Sequence, residues 1–372
     1  MVFLKTSVDV FDKLRILGAS AEYDRCGCES GKTNSKIAQR IPLPTHGIYP
    51  TTGPSGRQSL VMKVLQSNEC EYDCAYCVNH CVRKTTRTSF TPDELSKLFM
   101  KYIRAGLVQG LFLSSGMKDS RGMGDVLETV KLVRKSGFWG YVHTKILPGS
   151  SREEIRQAAE LSTRSSINIE APNKNRLNEL SSQKNLKSDI LRRMRWIRME
   201  VDKGHARAGQ TTQFIVGAAG EQDREILKRA DWLYKKMKLK RTYFSSFNPL
   251  AGTPLSQREK TPRIREMRLY QSDFLIRDYG FDLGEIIYDE KGLLPKNTDP
   301  KTLYAQNNPD KYPVDLGHAL ISELVRVPGI GPKTAKNIAG MDNKKGLLKI
   351  IPRKSLPYLK INGVRQARIG EF

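Results

Sequence analysis

The stretch LVMKVLQSNECEYDCAYC, residues 60–77, joins an apolar, strand-like run to three closely spaced cysteines. Leu60–Leu65 has the length and apolar character of a buried strand. Cys70, Cys74 and Cys77 follow in a polar loop with the spacing C-x3-C-x2-C. Three thiols held so close together after one strand indicate a metal or iron–sulfur site.

Downstream of this strand, strand-like and helix-like segments alternate. The further strand-like runs are Gly110–Ser114, Gly137–Lys145, Ser166–Glu170, Gln210–Val216 and Arg241–Phe247. The helix-like segments between them are Thr91–Ala105, Gly124–Lys135, Ser151–Ser162, Lys187–Val201 and Glu221–Met237. The alternation predicts an α/β fold, a partial (β/α)6 barrel of the TIM type, with its site at the carboxyl ends of the strands.

The remaining segments suggest how the chain is divided. We predict an N-terminal extension over residues 1–59, the barrel over residues 60–255, a helical and loop connection over residues 256–312, and an all-α module with a basic tail over residues 313–372. A short amphipathic helix is expected at Val8–Leu17. The connection holds a helix at Pro262–Tyr279 and a loop-rich stretch at Gly292–Tyr312.

Charge indicates the class of partner. The chain carries 63 lysines and arginines against 39 acidic residues, a net charge of +24. Its last 42 residues include ten basic and two acidic side chains. Such an excess favours a polyanion, because each neutralised phosphate releases condensed counterions. The alternative is that the charge serves solubility alone or reflects a generally basic proteome.

The opening residues and the cysteine content indicate the compartment. Met1–Ser20 mixes Asp9, Asp12 and Lys13 with its apolar residues, so it lacks the uninterrupted run of a secretory signal. No apolar run has the length of a membrane-spanning helix. We therefore predict a cytoplasmic protein without a membrane partner, in which clustered cysteines serve a metal or redox site rather than disulfides.

The cysteine spacing, with Tyr76 directly before the third cysteine, resembles the hallmark of the radical S-adenosylmethionine (SAM) superfamily. A [4Fe-4S] cluster on three cysteines keeps one iron open, and in that family the amino and carboxylate groups of SAM bind this iron. The resemblance implies an enzyme with both cofactors, which cleaves SAM to a 5′-deoxyadenosyl radical. One alternative is a zinc site with Cys81 as fourth ligand, in a non-catalytic DNA-binding adaptor. The roles of Cys26 and Cys28 are left open.

Later strand ends carry features that match the SAM site of this family. A glycine-rich segment after the second strand would meet the SAM amino group, Glu170 ends the fourth strand, and Gly217 would leave room for adenine after the fifth. His143 and Lys145 on the third strand are candidates for the SAM carboxylate or the substrate. The residues assigned to SAM are Tyr76, Ser115, Gly116, Lys145, Glu170 and Gly217.

The segment Leu324–Ala335 resembles a helix–hairpin–helix. In that motif a Gly-x-Gly turn and the following helix N-terminus direct N–H groups at a phosphate without reading bases. Gly329 and Gly331 are expected to supply unusual backbone angles. The residues assigned to nucleic acid are Gly329, Gly331, Lys333, Thr334 and Lys336. The alternative is an ordinary glycine turn between two helices.

Together with Glu22–Asp24, Asn168–Pro172, Gln213–Glu221 and Thr253–Leu255, these motifs resemble one branch of the superfamily. Its members are described as radical SAM proteins of DNA modification or repair, associated with a uracil-DNA-glycosylase-like protein. The resemblance implies a DNA substrate ahead of RNA, that protein as partner, and an electron donor such as flavodoxin or ferredoxin. The alternative within the superfamily is an enzyme that modifies RNA, such as tRNA.

Overall fold

The computed structural model describes residues 9–22, 43–52, 58–118, 122–341, 350–361 and 364–365. The chain divides into two compact units, residues 1–221 with 232–262 and residues 222–231 with 263–372. Among the described helices, none is both long and apolar enough to cross a bilayer. Tyr23, Asp24, Cys26 and Cys28 lie outside the described residues.

The first unit is built on one seven-stranded sheet whose strands follow chain order. The strands are β1 (Ile48–Thr52), β2 (Gln58–Leu65), β3 (Gly110–Ser114), β4 (Tyr141–Lys145), β5 (Arg164–Ser166), β6 (Gln210–Val216) and β7 (Arg241–Ser246). Strands β2 to β7 pair in parallel, while β1 pairs with β2 in antiparallel orientation. The six parallel strands form a curled half-barrel, which confirms the predicted partial barrel.

Helices alternate with these strands along the chain. They are α1 (Val10–Glu22), α2 (Pro92–Arg104), α3 (Gly122–Lys135), α4 (Arg152–Leu161), α5 (Lys174–Asn178), α6 (Arg192–Asp202) and α7 (Asp223–Met237). The predicted helix at Lys187–Val201 begins instead as a π-helical turn, Leu186–Leu191. Thr91 and Ser151 form complete capping boxes at the starts of α2 and α4, because each side chain and the glutamate three residues later satisfy each other's backbone N–H.

The N-terminal segment contributes more to the sheet than its sequence suggests. Strand β1 pairs along its full length with β2, from Ile48 opposite Met62 to Thr52 opposite Gln58. Pro50 is tolerated there because an edge strand needs hydrogen bonds on one side only. Helix α1 is joined to α2 by an ion pair in which the Lys13 ammonium lies 2.8 Å from the Glu94 carboxylate.

The second unit combines short helices with a small sheet. Its elements after α7 are α8 (Arg263–Asp278), α9 (Pro300–Gln306), α10 (Ile321–Leu324), α11 (Pro332–Ala339), β8 (Val314–Asp315), β9 (Leu359–Ile361) and β10 (Val364–Arg365). The three strands form a sheet in the order β10, β9, β8, so the prediction of an all-α C-terminal module was wrong. Strands of two or three residues are too short to show an alternating pattern.

The predicted loop-rich stretch Gly292–Tyr312 also contains a helix, α9. Asp299 caps this helix by accepting the Thr302 N–H at 3.0 Å, and Pro300 occupies its first turn. The stretch has few large apolar residues, which obscured the helical period. Both the cap and the proline are visible in the sequence, and they were the available signals.

Candidate active site

The three cysteines lie in the loop that follows β2, at the carboxyl ends of the parallel strands. Cys74 is buried, and Cys70 and Cys77 are half-buried. The Cys70 sulfur accepts the Met117 N–H at 3.4 Å, and the Cys77 sulfur accepts the Asn79 N–H at 3.4 Å. Backbone donors favour thiolates, the form in which cysteine binds metal.

One arginine holds the residues before and after the three cysteines in place. The Arg87 guanidinium donates to the carbonyl oxygens of Asn68 at 2.5 Å, of Asn79 at 3.2 Å and of His80 at 2.7 Å. Asn68 in turn accepts the Thr88 N–H through its side chain at 2.8 Å. These bonds fix both ends of the cysteine segment before any cofactor binds, as a preorganised ligand site requires.

Electrostatics disfavour free thiolates at these positions. Burial raises the pKa of the Cys74 thiol, and burial together with the nearby Cys74 raises the pKa of Cys77 to about 12. A cationic iron–sulfur core would offset this cost, because the metal replaces the protons and supplies positive charge. The donor set therefore fits a [4Fe-4S] cluster held by Cys70, Cys74 and Cys77.

The alternative of a single zinc ion would need a fourth ligand beside the three cysteines. Across the described ranges, no three His, Cys, Asp or Glu side chains converge on one ion position. Zinc requires that convergence, whereas a cubane binds each cysteine through a different iron. Cys81, the proposed fourth zinc ligand, is exposed, and its sulfur lies 3.9 Å from the His80 Nδ1 atom.

A cavity of about 460 Å³ opens beside the cysteine loop. All three cysteines line it, together with five of the six residues assigned to SAM, which are Tyr76, Ser115, Gly116, Lys145 and Glu170. These residues come from separate strand ends, which meet because the strands are parallel and neighbouring. The volume lies within the range of small-molecule and cofactor sites, about 300–1,000 Å³.

Three buried polar atoms in this cavity lack partners. The Ser115 hydroxyl, the Asn79 side-chain oxygen and the Gln213 side-chain nitrogen have no hydrogen bond within the described part of the chain, and all three residues line the cavity. Such groups are costly unless a ligand satisfies them. They offer both donors and acceptors, as the amino, carboxylate and ribose groups of SAM require, so the cavity fits that cofactor.

Gly116 joins the end of β3 to the cysteine loop. A Cβ atom at this position would lie 2.1 Å from the Glu69 carbonyl oxygen, so only glycine permits the observed approach. The Gly116 N–H donates to the Ser67 carbonyl at 2.7 Å, and the Glu71 N–H donates to Met117 at 2.8 Å. The sequence had assigned Gly116 to close contact with SAM, and the structure adds a contact with the cysteine loop.

Glu170 is held in a strained backbone conformation at the cavity wall. Its φ is 63°, a left-handed value that is rare for a residue other than glycine. Hydrogen bonds on both sides maintain it, since its N–H donates to Gln213 at 3.0 Å and its carbonyl accepts the Ile215 N–H at 2.9 Å. Strain of this kind concentrates at functional sites, where the surrounding structure enforces it.

Lys184 pairs with Glu170, and sequence analysis did not single it out. Its ammonium lies 3.3 Å from the Glu170 carboxylate, with both side chains 7% exposed. Burial lowers the pKa of Lys184, but the Cys74 thiolate and the Glu170 carboxylate outweigh burial and raise it above the ordinary value. Lys184 comes from a polar loop, where nothing in the sequence marks it. That loop is tied to the cysteine loop, because Asp73 accepts the Ser182 N–H at 2.9 Å.

Replacing Lys184 by methionine should destabilise the protein. The Glu170 carboxylate would stay buried without its cation, a change that costs about 3 kcal/mol of unfolding free energy. We expect urea unfolding of the metal-free protein to show this loss. The double variant Lys184→Met/Glu170→Gln should regain much of it, because no uncompensated charge remains. A single variant as stable as the parent would contradict the pairing.

The two other predicted residues at strand ends lie elsewhere. Gly217, with φ 89°, is not among the residues that line the cavity, and its N–H donates to the Glu221 carboxylate. That carboxylate also accepts the Ala219 N–H at 3.0 Å, so Gly217 belongs to a local turn. His143 faces the interior of the half-barrel, where its Nε2 atom lies 2.8 Å from the Ser166 hydroxyl.

In the second unit, the predicted phosphate-binding residues lie between and within α10 and α11. Gly329 has φ 91°, and a Cβ there would lie 2.5 Å from the Ser355 hydroxyl, so glycine is required. Gly331 is the N-cap of α11 with φ −94°, an extended value open to any residue, so the expectation of an unusual angle there was wrong. Lys333 and Lys336 are exposed on α11, and Thr334 is half-buried.

Lys301 stabilises the turn that contains Gly329 and Gly331. Its buried ammonium donates to the Ile330 carbonyl, between the two glycines, and lies 4.7 Å from the Tyr279 ring centre. Burial lowers the pKa of Lys301 to about 7, while Asp299 opposes this shift and Lys354 adds to it. The side chain is 8% exposed, so water screens these effects little.

This lowered pKa predicts a pH-dependent stability. The unfolded lysine titrates near 10.4, so between about pH 7 and 10 the unfolded chain holds a proton that the folded chain has lost. The cost of burying the ammonium is fully present below pH 7 and is relieved as pH rises. The free energy of unfolding in urea should rise with pH in this window for the parent and for Lys333→Met, but not for Lys301→Met. The same rise in all three proteins would contradict the lowered pKa of Lys301.

One protein-family profile agrees with this site. Residues 64–233 match the profile of the Radical SAM superfamily. No curated protein sequence matches the chain. Among solved structures, HydG, a maturase of the [FeFe]-hydrogenase, has a TM-score of 0.46 and 12% identity over 57% of this chain and 48% of its own. Methylornithine synthase (PylB) has a TM-score of 0.46 and 14% identity over 57% of this chain and 60% of its own.

A third solved structure is HydG from Carboxydothermus hydrogenoformans, with a TM-score of 0.46 and 12% identity over 77% of this chain and 79% of its own. The chain spans about half of the first HydG chain and three fifths of PylB. The profile match covers the cysteine loop and the cavity-lining residues at the ends of β3 to β6, but not those at the end of β7. Residues 64–233 therefore match a radical SAM domain, and the members of that superfamily are enzymes that use a [4Fe-4S] cluster and SAM.

Proposed function

We propose that this enzyme modifies or repairs DNA by radical SAM chemistry. When bound, the cluster supplies the electron that cleaves SAM to methionine and a 5′-deoxyadenosyl radical, which removes a hydrogen atom from the substrate. Cys70, Cys74 and Cys77 hold the cluster. The unpartnered atoms of Ser115 and Asn79 offer hydrogen bonds to SAM.

The substrate proposal is carried by one observation, the two exposed lysines Lys333 and Lys336 on the helix that follows the Gly329 turn. A helix N-terminus attracts phosphate through its free N–H groups, and neighbouring lysines add charge. The net charge of +24 and the basic C-terminal residues act in the same direction. We propose that residues 313–372 contain a helix–hairpin–helix that binds the DNA backbone without reading its sequence.

Two protein partners complete the proposal. Reductive cleavage of SAM consumes an electron, which a flavodoxin or ferredoxin would deliver. The family resemblance adds a uracil-DNA-glycosylase-like protein. Binding of each purified candidate to the full-length enzyme by calorimetry tests these two assignments separately.

Removing the two lysines should weaken DNA binding. We expect Lys333→Gln/Lys336→Gln to bind duplex DNA roughly 10-fold more weakly near physiological salt. The slope of the logarithm of the binding constant against the logarithm of the salt concentration should become shallower by about two, one for each lost phosphate contact. Fluorescence anisotropy across a salt series measures both. The matched control, Lys97→Gln/Lys135→Gln, removes the same charge from exposed sites in the first unit. Equal losses in both variants would mean that net charge alone binds DNA.

The substrate class is tested by competition between duplex DNA and tRNA at one stated salt concentration. Preference for DNA supports the proposal, and preference for tRNA replaces it with RNA modification. Anaerobic turnover with deuterium-labelled DNA then asks whether deuterium enters 5′-deoxyadenosine. If 5′-deoxyadenosine forms but DNA neither binds nor transfers deuterium, the proposal of a DNA substrate is wrong, while the proposed cleavage of SAM stands.

A further inference from the structure

A second, smaller cavity of about 60 Å³ lies inside the half-barrel. Four of its lining residues occupy one level of the sheet, because Lys63 pairs with Phe112, Phe112 with His143, and His143 with Arg164 in strand register. Side chains alternate between the two faces of a strand, so paired positions on parallel neighbours face the same side. This level therefore places two cationic side chains and an imidazole around one space.

The charge of this level is unusual for a barrel interior. Barrel cores are commonly filled by branched apolar side chains, whereas this level carries a lysine and an arginine. Lys63 is 3% exposed, and its ammonium lies 5.1 Å from the Phe112 ring centre and 5.5 Å from that of Tyr49. All residues that line the cavity are described, and none of them is acidic.

Two donors at this cavity have no partner within the described residues. Arg164 donates through Nη2 to the Ala208 carbonyl at 3.2 Å, but its buried Nε–H is unsatisfied. The Gln213 side-chain nitrogen is also unsatisfied, and this residue is 5% exposed. Buried donors beside cations call for an acceptor that carries negative charge.

The inner cavity adjoins the larger one. Asn168 and Gln213 line both, so they form the boundary between the space assigned to SAM and the space beneath it. A single water occupies roughly 10–15 Å³ of cavity volume. The inner cavity of about 60 Å³ therefore holds about four to six waters, or one tetrahedral oxyanion in their place.

We propose that the inner cavity is an oxyanion site that binds phosphate, with Arg164, Lys63 and the Gln213 amide as donors. The phosphate is either free or carried by a small substrate that reaches down from the larger cavity. This site is independent of DNA binding by the second unit, so either proposal can fail without the other.

The test uses the reconstituted, full-length enzyme and inorganic phosphate, followed by 31P line broadening and calorimetry. We expect saturable binding to the parent and at least roughly 10-fold weaker binding to Arg164→Gln and to Lys63→Met, the range seen when a charge-assisted hydrogen bond is lost. Arg195→Gln, at an exposed position on α6, is the control for charge and should bind like the parent. Circular dichroism melting identifies any variant that fails to fold, and the other then decides.

Two ligands distinguish the source of the phosphate. If thymidine 5′-monophosphate binds the SAM-loaded enzyme much more tightly than both thymidine and inorganic phosphate, the oxyanion arrives on a substrate. If inorganic phosphate binds as tightly as the nucleotide, the site holds a free anion. Absence of saturable phosphate binding to the parent, or equal binding by the parent, Arg164→Gln and Lys63→Met, would overturn the proposal.

Discussion

A Cys74→Ser enzyme is expected to lose its cluster and its ability to cleave SAM. Serine removes the most buried of the three sulfur ligands, and its hydroxyl is a poor replacement for a thiolate. Loss of an outer-shell partner costs a metal site roughly 10- to 100-fold, so loss of a ligand should cost at least the upper end of that range. Iron content, visible absorption and anaerobic release of 5′-deoxyadenosine measure the result.

Cys81→Ser is the matched control for this prediction. Cys81 lies four residues beyond Cys77 but is exposed and does not line the cavity. We expect this variant to reconstitute and cleave SAM like the parent. If the parent instead binds zinc, stays colourless and loses that zinc in both variants, the four-cysteine zinc site is correct and the radical chemistry is excluded.

The barrel was predictable because its parallel strands are bounded by readable signals. Every residue of β6 is buried, which gives a continuous run of suitable length between polar segments. The capping boxes at Thr91 and Ser151 mark helix starts by chemistry rather than by hydrophobicity. The bounds of strand β5 were harder to predict, because only three residues pair regularly with the neighbouring strands. After them the chain leaves the sheet, and Glu170 pairs with Phe214 through one isolated bridge.

The candidate site was predictable where a motif fixes spacing along the chain. The cysteine triad is local, and Gly116 and Glu170 follow β3 and β5, two parallel strands whose carboxyl ends lie at the same edge of the sheet. Lys184 could not be found in this way, because only the tertiary contact between its loop and Asp73 brings it to the cavity. Gly217 shows the converse, since a glycine at a strand end is equally suited to a local turn closed by Glu221.

Gly116→Ala is expected to impair the cluster site although it leaves all three cysteine ligands in place. A methyl group would lie 2.1 Å from the Glu69 carbonyl oxygen and 3.3 Å from Cys70 Cβ, so the cysteine loop or the end of β3 must move. Overpacking against backbone costs about 3 kcal/mol. We expect lower iron content after reconstitution and a matching fall in SAM cleavage, because Cys70 is displaced from its hydrogen bond with the Met117 N–H.

Gly124→Ala separates this steric effect from the general cost of replacing glycine. Gly124 lies in α3, where an added Cβ meets nothing within 4 Å, so alanine should be neutral or stabilise the helix by up to about 1 kcal/mol. The contrast between two glycines in the same β3–α3 segment makes the cause identifiable. If Gly116→Ala retains full iron content and parental stability, the close approach between β3 and the cysteine loop does not position the cluster ligands.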